Sequence, residues 1–428
     1  MSNKAQPDSV DVGRARLREA IAAATQSMSD ASVAIDANAV VAQRRILDAF
    51  RQARIGEGDL GTGSGYGYGD RGRDAVERVF ARVMGTEAAL VRSQIVSGTH
   101  AIAIALFGVL QAGDTLLAAT GTPYDTLLPV IGPGPQSLAE TGIAFASVDP
   151  WAGGCDGEMD LRCLAAALAE HHPRVVLIQR SRGYSLRPAL SATAMAALVA
   201  AVRREVPEAV IMVDNCYAEF VGVDPAAGLG VDLLCGSLIK NPGGGIAPTG
   251  GYVAGRRDLI ERAAARLYAP GLGSAVGPGL VPARLLLEGL FLAPGAVAAA
   301  LKGAVYAAAL FAHLGFVVDP LPAAPRADII QAIALERRDL IEAFCRAIQA
   351  NSPVDSHVTP EFAPMAGYGH DVIMAAGTFI QGASLELSAD APDRPPYWVF
   401  LQGGLGVGYV QQAVEAAASA VLAHLSTT

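Results

Sequence analysis

From Asp74 to Leu267 short apolar runs and helical segments take turns, and that alternation constrains this chain more than any other feature. The runs fall at 114–119, 142–148, 174–179, 209–214, 231–235 and 250–254, and they read as strands covered on both faces. Between them the spacing predicts helices over 74–84, 99–111, 159–170, 190–204 and 256–267. Such alternation folds into an α/β architecture, a mostly parallel sheet with helices on both sides. A helical region over 280–312 leads to a smaller α+β unit. There strands are expected at 328–335, 371–377 and 383–388, and helices at 337–350 and 407–425. Ahead of the sheet, 12–27 and 35–54 are predicted as two separate helices. The expected division is a helical segment over 1–62, a large domain over 63–305 and a small domain over 306–428.

Half of the 428 residues are hydrophobic (52%), which raises the question of a membrane span. The most apolar region, 285–318, is interrupted by Glu288, Pro294, Gly295 and Lys302. Its longest uncharged piece, 303–318, is shorter than the ~20 apolar residues a spanning helix needs, so a buried, alanine-rich helix is expected. The N-terminus MSNKAQPDSVDVGRARLREA has no apolar run, and a cytoplasmic location follows as the expectation. The net charge of −9, from 32 basic and 41 acidic residues, argues against a nucleic-acid partner. Five cysteines (Cys155, Cys163, Cys216, Cys235, Cys345) have no metal-ligand spacing; reduced thiols and no metal centre are expected.

In open α/β sheets, ligands gather beyond the carboxyl ends of the strands. Asp214 ends the run VIMVD, and Lys240 follows VDLLCGS, three residues after Ser237 and just before Asn241-Pro242 and Gly243-Gly244-Gly245. A lysine in that place is a trap for the aldehyde of pyridoxal 5'-phosphate. Desolvation and a nearby cofactor cation are expected to lower its pKa and leave the amine nucleophilic. Asp214 is the expected partner of the protonated pyridine nitrogen, which makes the ring an electron sink. Ser97-Gly98-Thr99 opens a helix after VRSQIV, where backbone N–H groups and the helix dipole suit the cofactor phosphate. A plain Ser N-cap fits the same residues. Ser237 is placed to add a hydroxyl, and Tyr124, in Gly121-Thr122-Pro123-Tyr124-Asp125, to stack on the pyridine face.

Tyr66 and Tyr68 with Arg71 and Arg73 form GYGYGDRGRD, expected as an exposed aromatic and basic loop near bound phosphate or carboxylate. Gly56-x-Gly58-x-x-Gly61 matches a dinucleotide fingerprint only formally, because it follows a helix and not a strand. Arg394, in SADAPDRPPY, and Arg180 and Arg182, in QRSRGYSLRP, compete for a substrate carboxylate.

Taken together, GYGYGDRGRDAVERVFARVMG, SGTHAIA, GTPYDTL, QRSRGYSLRP, VDNCYAEF, SLIKNPGGGIAPTGGYVAGR and ELSADAPDRPPYWVFLQGG run in family order from about residue 60 to 405. The chain resembles the Cys/Met-metabolism division of the fold-type I pyridoxal-phosphate enzymes, in its methionine γ-lyase-like or aluminium-resistance branch. The resemblance implies the aspartate aminotransferase-like three-layer sandwich with a smaller C-terminal domain. It also implies a homotetramer, a dimer of dimers with active sites at the dimer interface, in which Tyr66, Tyr68 and their neighbours reach the partner's cofactor phosphate. Lys240, Asp214, Tyr124, Ser97-Gly98-Thr99 and Ser237 would take the roles given above. Two departures stand out: Ser-Gly-Thr-His replaces the usual Ser-Gly-Met, and the Tyr-x-Arg loop takes the form YGYGDRGRD. The expected activity is a lyase that removes a γ or β substituent from a small amino acid, releasing ammonia and a 2-oxo acid or a substituted or hydrolysed product. Methionine, cystathionine, O-substituted homoserines and canavanine are all admissible substrates. The alternatives are a transaminase or aldolase reaction on the same scaffold, or a non-enzymatic cofactor-binding protein of metal tolerance.

Overall fold

The structure is a computed structural model that describes residues 9–152, 159–223 and 226–427; Cys155 lies outside the described residues. Two compact units emerge. One comprises Asn38–Gly295 with Ala366–Gly369, and the other Met1–Ala37, Ala296–Met365 and His370–Thr428.

In chain order the first unit contains α2 (Arg71–Met84), β1 (Ala88–Arg92), α3 (Gly98–Val109), β2 (Thr115–Ala118), α4 (Leu128–Ile131) and β3 (Ala144–Ser147). There follow α5 (Leu161–His171), β4 (Val175–Gln179), α6 (Ala192–Glu205), β5 (Val210–Asp214), β6 (Leu233–Ser237), β7 (Gly251–Gly255) and α7 (Arg257–Leu267). The seven strands form one sheet in the order β1-β7-β6-β5-β4-β2-β3. β2 to β6 pair in parallel, and β7 runs antiparallel to both β6 and β1. The sheet is therefore mostly parallel, as the alternation demands. β4 and β5 are buried at every position because both faces are covered. On one face Leu90, Val175, Val210, Leu233 and Val253 pack with Ala101 and Leu106 of α3 and Ile260 and Ala263 of α7.

The second unit holds an antiparallel sheet in the order β10-β11-β12-β9-β8, built from β8 (Val318–Asp319), β9 (Ile330–Ala334), β10 (Val372–Ala375), β11 (Ser388–Pro392) and β12 (Trp398–Gln402). α9 (Arg338–Ala350) and α10 (Val407–Thr427) share its core, where Phe311, Phe344, Ile373, Val399 and Val414 meet. α1 (Ser9–Ala53) and α8 (Ala283–His313) each contribute residues to both units.

Several elements differ from the sequence expectation. The two N-terminal helices are one, α1, because residues 28–34 contain neither Gly nor Pro, and Ser32 Oγ donates to the Met28 carbonyl at 2.7 Å within the continuous helix. β1 and β12 were not anticipated. The strand expected at 383–388 lies instead at Ser388–Pro392, since Glu386 is used up accepting the amides of Phe379 (2.7 Å) and Ile380 (2.9 Å) in a turn. The buried Asp390 makes SADAP viable as a strand by accepting two hydrogen bonds from Gln402 Nε2, 2.9 and 3.0 Å.

α8 is long and apolar enough by composition to cross a membrane, and 56% of its most apolar window is buried in the structure. Its Tyr306, Leu310 and Phe311 sit fully inside the second unit's core. Its packing is that of a core helix. Phe344→Ala empties a fully buried ring site in that core, so a loss of about 3–5 kcal/mol is expected, read as a lower unfolding midpoint in calorimetry.

Candidate active site

The carboxyl ends of β4, β5 and β6 lie side by side, with Gln179 paired to Asp214 and Asp214 to Cys235. Whatever each strand carries at its end is thereby brought within side-chain reach of the next. Asp214 ends β5, largely buried, and accepts the Cys216 amide at 3.1 Å. Ser237 ends β6, fully buried, and the turn after it presents Lys240.

Helix α3 aims its N-terminus at the same place. Ser97 is its N-cap, with Oγ accepting from the His100 amide at 3.0 Å, and Gly98 is its first residue. A Cβ at Gly98 would sit 2.9 Å from Cys216 Sγ and 3.6 Å from Ser237 Cβ, so only glycine lets the helix end close on the loops after β5 and β6. Thr99 Oγ1 and Thr126 Oγ1 are 2.7 Å apart, which ties the helix end to the segment that carries Tyr124. The Tyr124 amide donates to Gln179 Oε1 at 2.8 Å. Its phenol lies 2.6 Å from that of Tyr368, and Tyr184 packs on the ring with centroids 5.6 Å apart.

Lys240 Nζ stands 4.0 Å from the centroid of the Tyr217 ring, a cation–π contact. Tyr217 and Phe220 adopt the left-handed conformation, φ +70° and +64°. Backbone strain of that kind costs about 1–3 kcal/mol per residue and gathers at functional sites. Burial pulls the Lys240 amine down, yet Cys216, Tyr217 and Asp214 outweigh it and the pKa lies above its ordinary value. Burial also pushes the Cys216 thiol well up, so it is a neutral group at neutral pH. The expected lowering of the Lys240 pKa is thus not a property of the protein's own groups. It needs a positive centre that offsets Asp214.

The remaining expected residues divide. Arg180 is buried and donates to Asn215 Oδ1 at 2.6 Å, and Arg182 is buried in the same segment. Arg394 is exposed and belongs to the other unit. Tyr66 and Tyr68 are 74% and 70% exposed with centroids 5.7 Å apart, as an outward-facing pair. The loop that carries them is less basic at its surface than expected. Arg73 is buried and donates to the Gly67 and Gly277 carbonyls at 2.8 and 3.2 Å, while Arg71 pairs with Asp59 at 3.1 Å. The run Gly243–Gly245 serves packing: a Cβ at Gly244 would lie 2.3 Å from the Gly289 carbonyl of α8. Sequence reading missed Asn215, Tyr217, Thr126 and Tyr184, although they lie in the quoted VDNCYAEF, GTPYDTL and QRSRGYSLRP, and missed Tyr368, for which no spacing signal exists.

These residues fit pyridoxal 5'-phosphate. A helix N-terminus closed down by glycine supplies amides for a phosphate, a carboxylate at a strand end suits a protonated ring nitrogen, and a lysine stands next to it. The sequence profile of the methionine gamma-lyase family matches residues 17–422. The uncharacterised protein YnbB of Bacillus subtilis (strain 168) is 45% identical over 382 residues, which cover 88% of this chain and 90% of that protein. The solved structure of a carbon–sulfur lyase involved in aluminium resistance from Clostridium novyi is 42% identical with a TM-score of 0.89, covering 94% of this chain and 95% of that one. At 20% identity, a cystathionine gamma synthase from Xanthomonas oryzae has the same fold, with a TM-score of 0.58 over 90% of this chain and 98% of that one.

Gly98→Ala is expected to destabilise the chain by about 1–3 kcal/mol through overpacking, and adding Cys216→Ala to restore part of that loss. Thermal melting of the two single variants and the double variant measures the coupling.

Proposed function

The chain belongs to the methionine gamma-lyase family and is a pyridoxal-phosphate-dependent carbon–sulfur lyase of fold type I, and we propose that it eliminates the γ or β substituent of a small amino acid. Ammonia and a 2-oxo acid would leave as products. The observation that carries the reading is the convergence of Lys240, Asp214 and the α3 N-terminus at the ends of adjacent strands. When bound, the cofactor supplies an electron sink for negative charge at the substrate α-carbon.

The chain's own groups divide the remaining work. Lys240 would hold the cofactor through its aldehyde carbon, and its amine Nζ, when free, would take the substrate α-proton as general base. Asp214 would be the carboxylate partner that keeps a proton on the ring nitrogen. The amides at Ser97, Gly98 and Thr99, with the Ser237 hydroxyl, bind the phosphate. Tyr124 would cover the ring face, and its phenol would assist departure of the leaving group as an acid. Arg394, Arg180 and Arg182 are the candidates for the α-carboxylate, and Arg180 also donates Nη1 to Asn215 Oδ1 at 2.6 Å. The leaving group is a thiol, as in methionine or cystathionine, or an oxygen-linked group, as in an O-substituted homoserine or canavanine.

The proposal extends to a cytoplasmic homotetramer whose sites are completed across the dimer interface. Its support is the Tyr66–Tyr68 pair, held outward on a braced loop with no partner for the rings but each other among the described residues.

Purified protein reconstituted with pyridoxal phosphate should show a visible absorption band, and Lys240→Ala should abolish it; a band unchanged in the variant overturns the assignment. Incubation with an amino-acid panel and no amino acceptor should release ammonia and a 2-oxo acid. Product only in the presence of a 2-oxo acid acceptor would identify a transaminase instead. Mixing the inactive variants Tyr66→Ala and Lys240→Ala should restore part of the activity if the site is shared between subunits.

A further inference from the structure

Glu219 lies five residues past Asp214, 3% exposed, and the proposed reaction does not use it. Its Oε1 accepts from Tyr252 Oη at 2.8 Å, Tyr252 Oη accepts from Asn215 Nδ2 at 2.9 Å, and Asn215 Oδ1 accepts from Arg180 Nη1 at 2.6 Å. On its other side, the Glu219 carbonyl accepts from Asn241 Nδ2 at 2.9 Å. Asn215 follows Asp214 in the chain and Asn241 follows Lys240. The belt therefore links the immediate neighbours of the two residues assigned to the cofactor. Its centre is built with care: β6 faces Tyr252 with Gly236, where a Cβ would lie 2.4 Å from Tyr252 Cε1.

Two atoms of the belt, Glu219 Oε2 and Asn241 Oδ1, are buried without a hydrogen-bond partner among the described residues. With the carboxyl ionised both are acceptors, and a buried acceptor that lacks a donor is costly. One proton on Glu219 Oε2 converts the first into a donor and removes the charge. The groups facing this carboxyl are Lys240, Arg180, Tyr252 and Cys216. Burial dominates and raises its pKa from 4.5 to about 7, against the lowering influence of its backbone, Tyr252, Lys240 and Arg180. Tyr252 and Cys216 are themselves pushed well up by burial and remain neutral.

We infer that Glu219 is a positioning residue that carries the proton of this belt and, through Asn215 and Asn241, sets how Asp214 and Lys240 stand at the cofactor. The inference rests on the cofactor reading of the site, and ionisation of Glu219 places a second buried anion near Lys240.

The test uses the full chain, both cofactor-free and reconstituted with pyridoxal phosphate. A carboxyl whose folded pKa is raised contributes stability that is complete below about 4.5 and lost as pH rises through about 7. The cofactor-free wild type should therefore lose melting temperature over that interval, and Glu219→Gln, which keeps the acceptor for Tyr252 but cannot ionise, should lose less. Tyr252→Phe removes a donor that favours the ionised form and should move the loss to higher pH. In the reconstituted protein, the pH midpoint of the visible band should fall in Glu219→Gln by about 0.5 unit or more, because an anion near the cationic centre is gone. Parallel melting curves for wild type, Glu219→Gln and Tyr252→Phe overturn the inference, as does an unmoved band midpoint. Should Glu219→Gln not fold, infrared titration of the wild type decides alone: a buried carboxylic-acid carbonyl band that disappears near neutral pH supports the proton, and its absence at pH 5 overturns it. Because the melting series needs no cofactor, a missing visible band with the expected melting behaviour would count against the cofactor reading and not against Glu219.

Discussion

A lysine ammonium and an aspartate carboxylate removed from water are tolerated only when each is answered by an opposite charge or a directed dipole. Everything else at this site depends on how that answer is assembled. Parallel pairing of β4, β5 and β6 puts Gln179, Asp214 and Cys235 in neighbouring register, so the loops that follow must share one small volume. Helix α3 closes that volume from the side with an uncharged donor surface, and Gly98 sets how far it closes. The sheet supplies position and the helix end supplies polarity. Neither element needs an exposed charge to do so.

Much of this was legible in the sequence, because buried parallel strands write themselves as short apolar runs with turn residues at each end. β2, β4, β5 and β7 sit where those runs fall, and Asp214, Ser237 and Lys240 were placed by nothing more than their position after a run. β1 and β11 were not legible for opposite reasons. Ala88–Arg92 is short and begins with two alanines, which are weak strand formers, and SADAP is made of poor strand formers that succeed only because Asp390 meets Gln402 in the tertiary structure. Lys240 and its partners named the cofactor and the resemblance reinforced it, but contacts such as Thr99 to Thr126 and Lys240 to Tyr217 join segments far apart in the chain or bend the backbone into left-handed turns. Local pattern carries no trace of either.

Polar burial behind the site follows a different logic from that of the site itself. Asn215, Tyr252 and Glu219 are neutral or near-neutral groups that bond mainly to one another, with Arg180 at one end. Such a network trades stability for a single arrangement, since it is favourable only when nearly every member is satisfied. The left-handed turns at Tyr217 and Phe220 belong to the same stretch, so the backbone between Asp214 and Val221 is held by side-chain bonds against its own preference.

Tyr124 and Tyr368 meet phenol to phenol across 244 positions of sequence. The segment between Ala363 and Val372, which pair with each other at its base, is thus a spacer whose length decides where the second phenol ends up. An insertion or deletion of one residue there would leave every strand end untouched and still shift the phenol that meets Tyr124. Chains that share these strand ends can in this way diverge by editing a loop remote in the gene, and a designer could do the same without touching the sheet.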